Sequence, residues 1–509
     1  MPRHTEITDY EPVTRSLNSQ ISGAEAKDDF MRVRLRPDSS LRDVVAANDE
    51  QAWRSKEPTW NEVSIPEGTP GKHKEKTPRL LKENWIIKRG HTLSYAGLFL
   101  FTVVLYFRPY ELIPALSSLT SLAFWVAFST LLVFLPTQLS LEGNLTTRPR
   151  EVNLALLLVL AALISMPLAL NPGEAWETFN KEFIKAVLMF IVIVNVVRTE
   201  RRLRGMLFLA LAISCLLSFN AFNDYRSGRF AFEGYRITGS IGGMFGNPND
   251  MALHLVTILP IPVALMLGTR NYLTKVLYSF CAVLMVAAIV VTYSRGGFIG
   301  LVCVAGVLAW KLGRRNRLAV LLLTIVSIVL FISLVPGNYM TRIGSIFDSS
   351  LDPNGSSSAR SELFKRSVVV ALANPLFGIG MGNFHIVSIR EAVTHNSFTQ
   401  VAAEMGIVAS VIYTMFIVAP FGRLRQIVRE TSSKGRASRF YYLAIGLQVS
   451  LIGYMVGSFF ASVAYLFYAY YLVGYAVCLR RLYESESRPV EERNVTAGTS
   501  PATVRGGVS

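Results

Sequence analysis

From Leu93 to Leu479 the chain alternates between long apolar runs and short polar connections. Each run is roughly 18 to 22 residues, enough to cross a bilayer at about 1.5 Å per helical residue. About 12 spans are expected, near 93–107, 117–136, 152–170, 178–197, 203–222, 249–267, 272–294, 296–312, 317–336, 397–419, 440–458 and 460–479. Residues 1–90 are polar, mix both charges and show no sustained apolar periodicity, so they read as a disordered, basic cytoplasmic tail. Residues 483–509 read as a second disordered cytoplasmic tail. Membrane helices one to nine fill 91–336 and helices ten to twelve fill 397–482. The first long apolar run begins only after about ninety residues, so no cleavable signal peptide is expected.

The alternation is interrupted once, by the polar stretch 337–396. It is far longer than a turn between membrane helices needs, and long structured loops usually carry function. Within it, SELFKRSVVVALA (361–373) predicts a short amphipathic helix stopped by Asn374-Pro375. The glycines of GIGMG (378–382) permit a tight backbone turn. Thr394-His395-Asn396-Ser397 has the composition of a helix N-terminal cap. The expected fold is an all-α integral membrane protein of about 12 transmembrane helices, with a large extracytoplasmic loop domain containing short helices.

Composition agrees: of 509 residues 51% are hydrophobic and only 17% charged, where soluble domains have about a quarter. The net charge of +16 does not point to nucleic acid, because its distribution follows the membrane. Counting from a cytoplasmic N-terminus, every connection placed inside holds basic residues: Arg148 and Arg150; Arg198 to Arg204; Arg270 and Lys275; Lys311 to Arg317; Arg423 to Arg439; and Arg480-Arg481. That is the positive-inside pattern, with both termini cytoplasmic. Cys215, Cys281, Cys303 and Cys478 lie in or at the end of apolar runs with no ligand spacing, and read as small buried hydrophobes. No metal site is expected: the six histidines are scattered, and DSSLDPNGSSS lacks the spacing of a calcium loop. FGIGMGN follows no strand and opens no nucleotide-binding helix.

The same count places Arg236, Arg295, Arg360 and His395 on the outer face. Arg295 stands at the outer end of a span, in the two-glycine break of YSRGG. Each arginine alone fits a headgroup anchor or a solvated loop. Together they suit a phosphorylated lipid, because guanidinium groups bind phosphate oxygens bidentately and stay charged at any working pH. A helix start at His395 disfavours imidazolium, and a neutral histidine suits a general base. His385 is a lesser candidate for the same role. Asn396 beside His395 and Glu404, placed about two and a half turns into the tenth span, are candidate supporting groups.

These segments resemble the O-antigen ligase/polymerase superfamily of bacterial envelope glycosyltransferases. The resemblance rests on SARSELFKRSVVVALANPLFGIGMGNF (358–384) and HNSFTQVAAEMG (395–406), similar to that family's arginine-led outer helix, NPLxGxGxGNF turn and HN-x9-G signature. GNPND (246–250), YSRGG (293–297) and YFRPYELIP (106–114) resemble further recurrent segments. Two positions depart from the pattern: Ala409 stands where a second small or aromatic residue is frequent after the signature glycine, and Phe364 where tryptophan is frequent.

The resemblance implies a metal-independent, cofactor-free ligase at the outer face of the bacterial cytoplasmic (inner) membrane. Its donor would be an undecaprenyl-diphosphate-linked glycan and its acceptor a hydroxyl of lipid A core or growing polysaccharide. Arg295 and Arg360, with Arg236 as a further contributor, would hold the diphosphate, and His395 would deprotonate the acceptor. A polysaccharide polymerase and a protein O-oligosaccharyltransferase share the motifs. A lipid-linked glycan transporter is the alternative from another class, although the sequence shows neither paired broken helices nor a repeat.

Overall fold

The computed structural model describes residues 85–112, 121–230, 236–239, 245–313, 356–432 and 439–498, with a few positions between 317 and 329. The expected ninth span, the N-terminal tail to residue 84, the loop portion 337–355 and the chain beyond 498 lie outside the described residues, apart from those few positions. Helix is the dominant element, and no β-strand occurs among the described residues.

Nine helical stretches among the described residues are long and apolar enough to cross a membrane. In chain order the helices are α1 (Trp85–Phe107), α2 (Leu122–Glu142), α3 (Arg150–Ser165), α4 (Pro172–Thr178), α5 (Ile184–Val196) and α6 (Glu200–Arg226). There follow α7 (Pro248–Ile258), α8 (Pro260–Gly268), α9 (Tyr272–Val291), α10 (Arg295–Gly313) and α11 (Ser356–Ala373). The last are α12 (Phe384–Val387), α13 (Ser397–Met405), α14 (Ile407–Thr431), α15 (Arg439–Ser458) and α16 (Phe467–Gly498). Leu132, Trp125, Leu160 and Phe280 point outward from the spanning helices, where a bilayer rather than water accounts for them. This is a membrane protein.

Four expectations change. Span four is helical from 172 to 196 with a π-helical turn, Phe179–Phe183, inside it, but it is not among the nine stretches. Span ten does not begin at 397: Gly406, at φ +93°, breaks it into short α13 and long α14. Glu404 therefore belongs to a helix ahead of the span, and His395 lies just before that helix. Span twelve starts at Phe467 rather than 460, after a bent segment. Its helix runs on to Gly498, so residues 483–498 are helical where a disordered tail was expected.

One end of the bundle is knit by ion pairs. Arg198 meets Glu142, Arg480 meets Glu151 at 2.9 Å, and Arg439 bridges Glu200 and Glu486 at 2.6 Å. The connections 143–149 and 197–199 and the start of α15 thus gather at that end. At the opposite end lie the starts of α7 and α10 and the segment joining α15 to α16. There α11, α12 and α13 enclose a small apolar core of Leu363, Val370, Ile379, Phe384 and Ala403. The predicted amphipathic face of α11 supplies Leu363 and Val370.

Candidate active site

The NPLFGIGMGN turn is fastened to the end of α13 by main-chain bonds. Ile379 N donates to Ala403 O (3.0 Å), Gly380 N to Glu404 O (2.8 Å) and Ile407 N to Pro375 O (2.8 Å). Such contact leaves no room for side chains. A Cβ on Gly378, at φ +67°, would stand 2.3 Å from the Glu404 carbonyl carbon, and one on Gly406 would stand 2.3 Å from Leu376 O. Both positions need glycine for its conformation and for its lack of volume. Asn383, fully buried, accepts from Asn171 N (3.1 Å) and so ties the turn to the segment between α3 and α4.

Glu404 is buried beneath this turn. Its carboxylate accepts from Tyr465 Oη (2.7 Å) and from the backbone N–H groups of Gly382 and Phe384. Burial pushes its pKa up to about 7 against the pull of these donors. Glu404 therefore joins α13, the glycine turn and the segment before α16, and makes no ion pair with a cation among the described residues. His385, half-buried, meets the Gly382 carbonyl through Nδ1 (2.8 Å) and approaches Glu174 Oε1 through Nε2 (3.4 Å).

Asn396 is the N-cap of α13, its Oδ1 accepting from Phe398 N (2.9 Å) and Thr399 N (3.0 Å). Flanking hydroxyls bolt this helix start to the α15–α16 segment. Thr394 Oγ1 lies 2.8 Å from Ser462 Oγ, Ser397 Oγ donates to Ala461 O (2.7 Å), and Val463 N donates to Ser397 Oγ (2.9 Å). Between them His395 takes φ +53°, a left-handed conformation that costs a non-glycine residue about 1 kcal/mol or more. Burial, and then the Arg360 guanidinium, lower its pKa to about 4. The ring is neutral at pH 7, as expected, but burial is the larger cause.

Arg360 lies in the second turn of α11 and lines a narrow cleft with Asn249, Ser294, Gly296, Gly297 and Phe460. It also lies within electrostatic reach of Asp250 and of His395. Phe364, one turn on, packs against Phe459 with centroids 6.0 Å apart. Arg295 opens α10 next to the cleft, but the break between the helices precedes it. Tyr293 takes φ +53°, and Ser294 Oγ caps α10 by accepting from Gly297 N (3.1 Å). The two glycines sit within α10 and allow close packing: a Cβ on Gly297 would stand 2.7 Å from Ala252 Cβ of α7. Arg236, only 2% exposed, donates Nε to Thr292 O (3.1 Å) and Nη2 to Asn249 Oδ1 (2.9 Å). Much of its donor capacity is spent on holding the chain.

Arg360, the Arg295 turn and His395 thus share one end of the bundle, with Arg236 behind them. Sequence reasoning missed Asn249, Asp250, Ser294 and Tyr465. The signal for the first two was present in GNPND, whose Asn-Pro start exposes the next residues at a helix mouth. Tyr465 carries no local signal. Among the described residues, no three His, Cys, Asp or Glu side chains gather as a metal site would require.

Residues 280–414 match the family model described as O-antigen ligase. That match supports the O-antigen ligase/polymerase superfamily. No curated protein matches it. The O-antigen ligase match runs from within α9 through the capped start of α10, the arginine-bearing α11, the glycine turn and α13 into α14. It includes Arg295, Arg360 and His395, whereas Arg236 and Asn249 lie ahead of it.

Proposed function

We propose that the protein transfers a glycan from undecaprenyl diphosphate to an acceptor hydroxyl of lipid A core or growing polysaccharide. Arg360 and Arg295 hold the diphosphate, and Arg236 supports them from behind. His395 takes the acceptor proton as the hydroxyl attacks the anomeric carbon, and the diphosphate leaves on its lipid. The carrying observation is that Arg360 lines the cleft beside the Ser294–Gly297 turn and acts electrostatically on His395. A cation for the leaving group and a neutral base for the nucleophile are thereby adjacent. Fixed cations stabilise charge developing on a diphosphate without reorganising during the reaction, and a positioned base contributes about 10²- to 10⁴-fold.

The bacterial inner membrane is the proposed location, with both termini cytoplasmic and the site outside. The gathering of Arg198, Arg439, Arg480 and their connections at the far end supports this orientation. Residues 1–90 then form a cytoplasmic tail and 337–396 the outer catalytic segment.

Purified protein in lipid, given undecaprenyl-diphosphate glycan and candidate acceptors, tests the reading. Release of undecaprenyl diphosphate with one acceptor-linked product is expected of a ligase. A ladder of lengthening chains would reassign it as a polymerase, and a glycosylated protein as an O-oligosaccharyltransferase. Lipid crossing the bilayer with no diphosphate released would overturn transfer altogether.

A further inference from the structure

The Asn249 amide has a fixed orientation. Its oxygen accepts from Arg236 Nη2 (2.9 Å) and from Ser294 Oγ (2.9 Å). Arginine nitrogens only donate, so the atom facing Arg236 is the amide oxygen, and flipping the amide would set donor against donor. Its main chain is held too, Asn249 N donating to Asn247 Oδ1 (2.8 Å). Nδ2 is left over. No described residue accepts from it, and Asn249 lines the cleft together with Arg360, Ser294 and the first turn of α10. Two donors with a locked direction thus remain on a residue that lines the cleft with a guanidinium.

We propose that Asn249 is a direct ligand of the donor's diphosphate, its Nδ2 donating to a phosphate oxygen while Arg236 and Ser294 clamp its Oδ1. The inference rests on reading this end as the diphosphate site. It also gives Arg236 a different task from Arg360. Arg236 aims a neutral donor and Arg360 supplies charge. A neutral amide adds a hydrogen bond without a further cation that would oppose release of the departing lipid.

Farnesyl diphosphate binding to the full-length protein in nanodiscs, measured with thermal stability on the same samples, tests this. Asn249→Asp keeps an acceptor for Arg236 and Ser294 but loses the amide donor; Asn249→Ala loses both without adding charge. The expected result is a 10- to 100-fold weaker affinity in each, the size of one hydrogen bond to a charged group, with N249D melting as the wild type does. Wild-type affinity in N249D would show that Asn249 only holds its neighbours, and wild-type affinity in N249A would show that N249D acts by charge alone. Either outcome overturns the inference. Arg360→Ala separates the two levels. If it binds as tightly as the wild type, or if the wild type does not bind, the diphosphate site itself is wrong; if R360A loses binding while both Asn249 variants keep it, only the Asn249 role falls.

Discussion

His395 faces two opposed demands. Burial and the nearby Arg360 guanidinium keep it neutral, but a ring with pKa about 4 is a weak base. A bound diphosphate offsets the Arg360 charge and raises the basicity of the ring when the donor is in place. The sign gives a test. In the free protein the ring protonates only near pH 4, so kcat/KM should stay level from pH 8 to about 5 as far as this group decides. The acid limb of kcat, which reports the donor complex, should lie at higher pH. Coincident limbs would contradict the coupling. The folded pKa also lies below the usual 6.5, so this residue's contribution to stability falls as pH drops from about 6.5 through 4. At the same scale, Gly406→Ala should cost about 2 kcal/mol or more, because its Cβ would meet the Leu376 carbonyl at 2.3 Å and φ is +93°. A melting curve matching the wild type would show that the turn can yield.

The element scale concerns how α11, the glycine turn and α13 act as one piece. Glu404 collects a tyrosine hydroxyl and two backbone N–H groups, so Glu404→Ala strands three buried donors at about 1–3 kcal/mol each. Transfer and thermal stability should fall together in that variant. An unchanged melting temperature would mean that the turn holds without it. Much here was legible in sequence: the amphipathic period of α11, its stop at Asn374-Pro375, and the cap at Asn396 are local signals, and each appears as expected. The break at Gly406 was not legible. An apolar run continues through it, and only the crossing of the Leu376 carbonyl demands the bend. The missing partners are non-local as well: Tyr465 lies 61 residues from Glu404, and Ser294 lies 45 from Asn249.

For the whole molecule, nine spanning stretches among the described residues and an ion-paired end opposite the candidate site define the architecture. Of the 12 spans expected from apolar length, the ninth lies outside the described residues, and the fourth and twelfth are helical without being among the nine. In the proposed orientation a single cysteine at Glu391 should react with an impermeant maleimide added to intact cells, and one at Ser432 only after the cells are opened. Labelling of both from the same side would reverse or break the topology. The central claim is chemical: a neutral His395 beside a cationic cleft transfers a glycan from a diphosphate carrier. It is tested most directly by following undecaprenyl diphosphate release in EDTA, with acceptor present, for wild type and His395→Ala reconstituted at equal levels. The account predicts release and acceptor-linked glycan from the wild type, and a loss of about 10²-fold or more in the variant with farnesyl diphosphate affinity retained. Equal release from both proteins would contradict the account.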